Sequence, residues 1–243
     1  MKLKSVLVGL ILFTVLLGSV NFLISSDIFD ISTILWERPE TQYSEYYKSL
    51  QYQLDTKVEH VKGRPIWNVS IYDLEMDLKR ISWIKSAHIY RQIPNKLVVQ
   101  IEYKKIIANV VKDNSELQPI AGDSSFLEPA KISQGPAVPM LASEEFRKNK
   151  NLRFEAVSIL SKLPEYGHLS QDTVSEVTWN GKKDFTLLLK DSLAKVRLSS
   201  DNTEIKVARV NKVLNYLDQN QIKSRVIDAN FSKKVVVKLR NHD

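Results

Sequence analysis

Residues 82–103, Ser-Trp-Ile-Lys-Ser-Ala-His-Ile-Tyr-Arg-Gln-Ile-Pro-Asn-Lys-Leu-Val-Val-Gln-Ile-Glu-Tyr, alternate apolar and polar side chains. Ala87, Ile89, Ile93, Leu97, Val99, Ile101 and Tyr103 take odd positions. Ser86, His88, Tyr90, Gln92, Lys96, Gln100 and Glu102 take even ones, with Arg91 and Val98 as exceptions. Successive side chains of a strand point to opposite faces, so this period of two predicts a hairpin with one buried face. A two-residue loop at Pro94-Asn95 would oppose odd positions to even ones and destroy that face. Three loop residues, 94–96, would pair Ile93 with Leu97 and Ile89 with Ile101. Register therefore predicts an odd-length loop, a type I turn with a left-handed third residue.

Helical periodicity precedes the hairpin. Residues 28–35 are β-branched enough for a strand that Pro39 closes. Tyr47, Leu50, Leu54 and Val58 fall at helical spacing, predicting a helix from the low forties to about residue 60 that Gly63 and Pro65 end. Ser70-x-x-Asp73 reads as a capping box opening a second helix, with Ile71, Leu74, Leu78 and Ile81 on one face. The order is strand, helix, helix, strand, strand.

With these residues in that order, the segment from Trp83 to Tyr103 resembles the POTRA domain of the FtsQ/DivIB family of bacterial division proteins. Trp83, Arg91, Pro94, Leu97 and Glu102 match the family's hairpin signature, while Ser82, Ile93 and Tyr103 stand where it usually has proline, tryptophan and arginine. Gly63-Arg-Pro-Ile-Trp67 is similar to the family's glycine-x-proline-aromatic turn.

The resemblance continues to the C-terminus. Residues 122–141, punctuated by Gly135-Pro136 and Val138-Pro139, resemble an irregular link. A helix is expected over about residues 144–163, with Leu152, Ala156, Ile159, Leu160 and Leu163 inward and Pro164 as its stop. Three apolar runs, 174–179, 185–189 and 193–198, predict an antiparallel meander. Asp201-x-x-Glu204 is expected to cap a helix carrying Val207, Val210, Leu214 and Leu217 on one face. A last pair of strands is expected at 226–231 and 235–239, joined by Ser232-Lys-Lys.

In that last pair, Asp228-Ala229-Asn230-Phe231 is similar to the family's aspartate-leucine-arginine-tyrosine strand, with asparagine in place of arginine. The resemblance implies that this C-terminal edge accepts a strand from FtsB, with Phe231 as an anchor and Asp228, Ser232, Val235 and Val237 nearby. An open edge offers unpaired backbone groups to such a partner. Phe231, Val235 and Val237 could equally be core.

The N-terminus adds an expected anchor. Residues 6–24 carry no charge and would reach about 28 Å as a helix, close to a hydrocarbon core of about 30 Å. Lys2 and Lys4 before the run, and Asp27 and Asp30 after it, favour export of everything that follows. A cleaved signal peptide would have a shorter apolar stretch and a small-residue cleavage site.

Other chemistry is poorly supported. The chain has 243 residues, a net charge of +7 and no cysteine, which removes disulfide, thiolate and cysteine-zinc chemistry. Its basic residues are scattered pairs without an aromatic-rich basic motif, so nucleic-acid binding is not indicated. His60, His88, His168 and His242 lack metal-ligand spacing. Ser82-x-x-Lys85 and Ser200-Asp201-Asn202 resemble two of three motifs of penicillin-binding serine enzymes, but Lys-Thr-Gly is missing, and that nucleophile should open a buried helix. An exported serine hydrolase acting on the cell wall is the alternative reading.

The expected fold is α+β: a cytoplasmic end at 1–4, a transmembrane helix at 5–25, a POTRA domain (β-α-α-β-β) at 28–105, and at 106–243 a mixed C-terminal β-domain with an antiparallel meander and helices. The resemblance implies a non-catalytic scaffold without cofactors, spanning the inner membrane once with its C-terminal bulk in the periplasm at the septum. It also implies that the chain binds FtsB and FtsL and contacts FtsK and components of septal peptidoglycan synthesis.

Overall fold

In a computed structural model, residues 10, 12–16, 18, 27–40, 44–112, 116–182 and 184–240 are described. Of the expected transmembrane helix at 5–25, only residues 10, 12–16 and 18 lie within them. The few described residues within it are helical, and among the described residues no helix is long and apolar enough to cross a membrane. The chain divides into two compact units.

The first unit, through residue 103, is a three-stranded sheet with helices on one face. A 3-10 turn at Asp27–Phe29 precedes β1 (Thr33–Glu37), so the first strand begins later than its β-branched composition suggests. Ile31, buried just before β1, is held by backbone bonds with Gly63 and Arg64. Residues 43–49, with α1 (Ser44–Ser49), group with the second unit. α2 (Gln51–Val58) then buries Leu54 and Val58. The expected first helix is thus two segments broken at Leu50. Gly63 follows with φ 74°, a conformation a side chain would strain.

α3 (Ile71–Lys79) is capped as its sequence predicts: the Ser70 hydroxyl accepts from the Asp73 backbone N–H at 3.3 Å. It buries Leu74 and Leu78 and packs against β2 (Ile84–Gln92), which pairs with β3 (Lys96–Tyr103). β3 is central, parallel to β1 and antiparallel to β2.

The hairpin keeps its predicted parity but not its predicted register. Gln92 pairs with Lys96, Arg91 with Leu97 and Ile89 with Val99, so odd positions still oppose odd ones. The loop has three residues, but they are 93–95, and none has a positive φ; the Ile93–Pro94 bond is cis. Ile93 therefore leaves the apolar set and is 52% exposed. Alternation constrains the loop length to odd values but cannot choose between registers two residues apart, because both keep the same face inward.

The second unit, residues 43–49 and 104 onward, is built on a nine-stranded mixed sheet. β4 (Ile106–Val111) and β5 (Glu116–Ala121) form an antiparallel hairpin that no alternation announces, since Ile106 to Val110 are all buried. A strand covered on both faces reads as a plain apolar run. The region expected to be an irregular link carries two short strands, β6 (Ala130–Lys131) and β7 (Met140–Leu141). β7 joins β4 to β8 (Val174–Trp179), parallel to both. The proline carbonyls make this possible: Asn109 on β4 donates its backbone N–H to Pro139 at 2.9 Å and its amide to Pro136 at 2.8 Å.

The expected helix at 144–163 is two, α4 (Glu145–Lys148) and α5 (Lys150–Ser161), separated where the Asn149 side chain caps α5 by accepting from the Leu152 N–H. Leu152, Ala156, Ile159, Leu160 and Leu163 are buried as their spacing predicts. Arg153 is buried as well. Its guanidinium lies 3.9 Å from the centre of the Phe126 ring and donates to the carbonyls of Ser124 and Phe146, both at 2.9 Å. β8, β9 (Asp184–Leu189) and β10 (Lys195–Ser199) form the predicted antiparallel meander.

α6 (Thr203–Gln219) buries Val207, Val210, Leu214 and Leu217. Asp201 does not cap it. The N-cap is Asn202, at φ 49° with no side-chain cap bond, and Asp201 pairs instead with the Lys206 ammonium at 3.0 Å. Lys206 is buried, and a buried ammonium gains more from a carboxylate than a helix end does. β11 (Ser224–Asp228) returns parallel to β10, a connection that needs a crossover helix, and β12 (Val236–Leu239) turns back antiparallel at the sheet's end.

The loop after β5 carries a pH-sensitive brace. Burial pushes the Asp123 carboxyl up, but bonds from the Ser125 hydroxyl and N–H and from the Lys104 ammonium at 3.0 Å outweigh it and hold its pKa at about 2. A depressed carboxylate stabilises the fold above its unfolded pKa of about 3.9, and that stabilisation is lost as pH falls through about 2. Its side chain is 55% exposed, so solvent screening limits the contribution to about 1 kcal/mol or less. Urea melts of Asp123→Asn should show that deficit at pH 7 and converge with wild type near pH 2. A constant gap would remove the carboxylate's charge as its cause.

Candidate partner-binding edge

The sequence points to two groups of residues, and the structure gives them different roles. In the hairpin signature of the first unit, Trp83 and Leu97 are core, and Arg91 and Glu102 bond within the unit from exposed positions. Trp83 is fully buried, donates its indole N–H to Gln53 Oε1 at 3.1 Å and packs 5.7 Å from the Tyr103 ring. Arg91 folds back over the turn before α3, where Nε and Nη2 donate to the carbonyls of Ile66 at 2.9 Å and Val69 at 2.8 Å. These contacts explain an arginine in an apolar pattern: it satisfies the carbonyl of Ile66, in the 3-10 turn Ile66–Asn68, and that of Val69, the extended residue just after it. Pro94 lies in the hairpin loop and Leu97 is fully buried. Glu102 accepts from Lys85 at 3.2 Å and Ser86 at 3.0 Å, which hold its carboxyl below the usual range.

Lys85 is therefore committed to Glu102, and Ser82 lies between the end of α3 and the start of β2 rather than at the opening of a helix. Ser200 donates to Glu155 at 2.7 Å, and Asp201 holds Lys206. The serine-enzyme motifs are thus dispersed among structural contacts. Among the described residues no cluster of acidic or histidine side chains could hold a metal.

The second group lies at the outer end of the nine-stranded sheet, with Asp228 closing β11, Phe231, Ser232 and Val235 in the connection and Val237 on the outermost strand, β12. The Arg240 N–H donates to the Lys223 carbonyl at 2.9 Å, so even residues of this stretch direct their backbone toward β11. In an antiparallel strand neighbouring residues point opposite ways, so Val237 and Leu239 direct N–H and C=O to the open side. There they have no partner among the described residues.

The side chains divide differently. Val237, opposite the buried Ile227, and Val235 are half-buried and packed against the core of the second unit. Leu239, with the same parity, is 55% exposed. Phe231, in the turn, is 45% exposed with the Lys234 ammonium 5.5 Å from its ring centre. Ser232 is exposed, and its carbonyl accepts from Arg209 of α6 at 2.6 Å, fixing the turn to the helix.

Asp228 faces the opposite side of the sheet and is consumed internally: Oδ1 accepts from the Asn230 N–H at 3.0 Å, and Oδ2 lies 3.4 Å from Arg197 Nη1. Arg197 also pairs with Asp184, whose other oxygen accepts the Asn230 amide at 2.8 Å. Arg197 and Asn230 thus bind two carboxylates across β9, β10 and β11. Asp184 and Arg197 were not legible as a pair, because they are strand neighbours only through the meander. No sequence signal separates the exposed Leu239 from Val235 and Val237, which pack against the core.

Two family models match the chain. One, described as the FtsQ-type POTRA domain, covers residues 51–102; the other, described as the C-terminal domain of cell division protein FtsQ/DivIB, covers residues 108–230. The chain belongs to the FtsQ/DivIB family. No curated protein matched it. FtsQ/DivIB proteins are membrane proteins of the division septum and generally serve as non-catalytic scaffolds, so membership gives the chain a role in the division complex. The match ends at Asn230, and β12 lies beyond it.

Proposed function

We propose that this FtsQ/DivIB chain is a non-catalytic scaffold in which FtsB adds a strand to the open edge of β12, with FtsL carried in the same assembly. Through them the chain connects early division proteins to septal peptidoglycan synthesis. It is held in the inner membrane by one helix within residues 5–25, with both folded units in the periplasm. The observation that carries the reading is the edge itself: Val237 and Leu239 turn unpaired backbone groups outward while the inner face of the strand is only half covered. An added strand would pair those groups and bury the rest of Val235 and Val237. Phe231, exposed at the turn, is the aromatic anchor. The exposed face of the POTRA sheet, with His88 and Tyr90, is the docking surface for upstream proteins such as FtsK.

Complementation of cells depleted of the native protein tests this. Ser82→Ala should restore division fully, because the proposed role needs no nucleophile. Phe231→Ala should retain its melting temperature and lower co-purification of FtsB by about tenfold, the effect of removing one interface anchor. Failure of Ser82→Ala to complement while still capturing FtsB would favour the hydrolase instead.

A further inference from the structure

Within the second unit, a groove of about 960 Å³ opens at the end of the sheet where β12 finishes. Its floor is apolar: Leu189 from β9, Leu214 and Leu217 from α6, and Ile222 from the link that follows. Ser224, which pairs with Leu239, and Arg240, the next residue after β12, are on its lining. The groove is therefore continuous with the open edge, and exposed Leu239 stands beside the junction.

Its charges are arranged around that floor. Lys223 and Arg240 contribute cations from the β11–β12 side, while Asp218 in the last turn of α6 and Asp191 in the turn between β9 and β10 contribute anions on the other walls. Lys223 and Asp218 have no ion-pair partner among the described residues, and Arg240 only donates to the Ser192 carbonyl at 3.3 Å. Apolar floors flanked by charges without partners suit a peptide that brings a bulky side chain and its own counter-charge.

We infer that this groove is a second contact for the strand that pairs with β12: the partner continues past Leu239, crosses Arg240 and seats a large apolar side chain on the floor. A carboxylate beside that side chain meets Lys223 and Arg240. This rests on the edge-pairing reading above. The edge supplies backbone bonds that are blind to side-chain identity, whereas the groove selects for an apolar residue with an acidic neighbour at one distance from the paired segment. The two contacts belong to one ligand, so loss of the groove should weaken binding without abolishing it.

The test is equilibrium binding of purified FtsB from the same genome to the full-length chain in detergent. Ser192→Trp places an indole at the groove mouth from an exposed turn, and Lys223→Glu reverses a rim charge; both leave the buried floor intact. Ser192→Trp should weaken binding about tenfold and Lys223→Glu about fivefold, with melting temperatures unchanged. Leu239→Pro, which blocks the edge, is the comparison. Wild-type affinity in both groove variants, alongside loss in Leu239→Pro, overturns the groove and leaves edge pairing standing. Wild-type affinity in Leu239→Pro overturns edge pairing, and the groove inference with it.

Discussion

Leu239→Pro should cost about a hundredfold in affinity for FtsB while leaving the fold intact. Residue 239 directs its N–H to the open side of β12, so proline there removes a donor that the folded chain does not use. Its side chain is exposed, so no core packing is lost. An incoming strand would lose one backbone bond and be left with an unpaired carbonyl, together about 2 to 3 kcal/mol, and the ring would obstruct its approach. Lys238→Pro separates edge from ladder. Residue 238 points its N–H toward β11, so that variant should weaken β12 itself and lower the melting temperature. If Leu239→Pro captured FtsB as well as wild type with an unchanged melting curve, pairing along β12 would be ruled out.

Trp83→Ala should destabilise the POTRA unit by about 3 to 5 kcal/mol, the usual result of truncating a large buried aromatic. The indole is fully buried against Tyr103, and its removal would leave a cavity beside the start of β2. It would also leave Gln53 Oε1 without its 3.1 Å donor. A stability of about 5 to 15 kcal/mol is typical of a whole domain, so a small unit should be largely unfolded at moderate urea. Hydrogen exchange of the amides in β2 and β3 would report this unit alone. Protection equal to wild type would mean the indole pocket relaxes around the missing ring. Trp83→Phe keeps most of the volume and should recover more than half of the loss.

These two residues mark the limits of a linear reading. Trp83 stands out as part of a spaced signature, and its burial follows from its place at the head of an alternating strand. Leu239 belongs to a final apolar run in which Val235 and Val237 look the same to any sequence rule. Their difference comes from the outer position of β12, where Val235 and Val237 still pack against the core of the second unit and Leu239, the last residue of the strand, is left exposed. Arg153 is a similar case: on a helix with an apolar face it reads as surface, yet Phe126 and two carbonyls receive it inside.

What the chain encodes locally was determined by sequence alone. Ser70 before α3, the parity of residues 87–101, the meander from 174 to 198 and the inward faces of α5 and α6 all arise from interactions within a few residues or from the strict period of an element. Tertiary structure decided what depends on distant partners. It selected the hairpin register, because two registers preserve the same buried face. It made Pro139-Met140-Leu141 a link between β4 and β8 by supplying donors from β4. It drew Asp201 from a helix cap to the buried Lys206. It brought Asp184, Arg197, Asp228 and Asn230 together across three strands. Above all it put β12 at the end of the sheet, where a strand otherwise like its neighbours keeps half its backbone hydrogen-bonding groups unpaired.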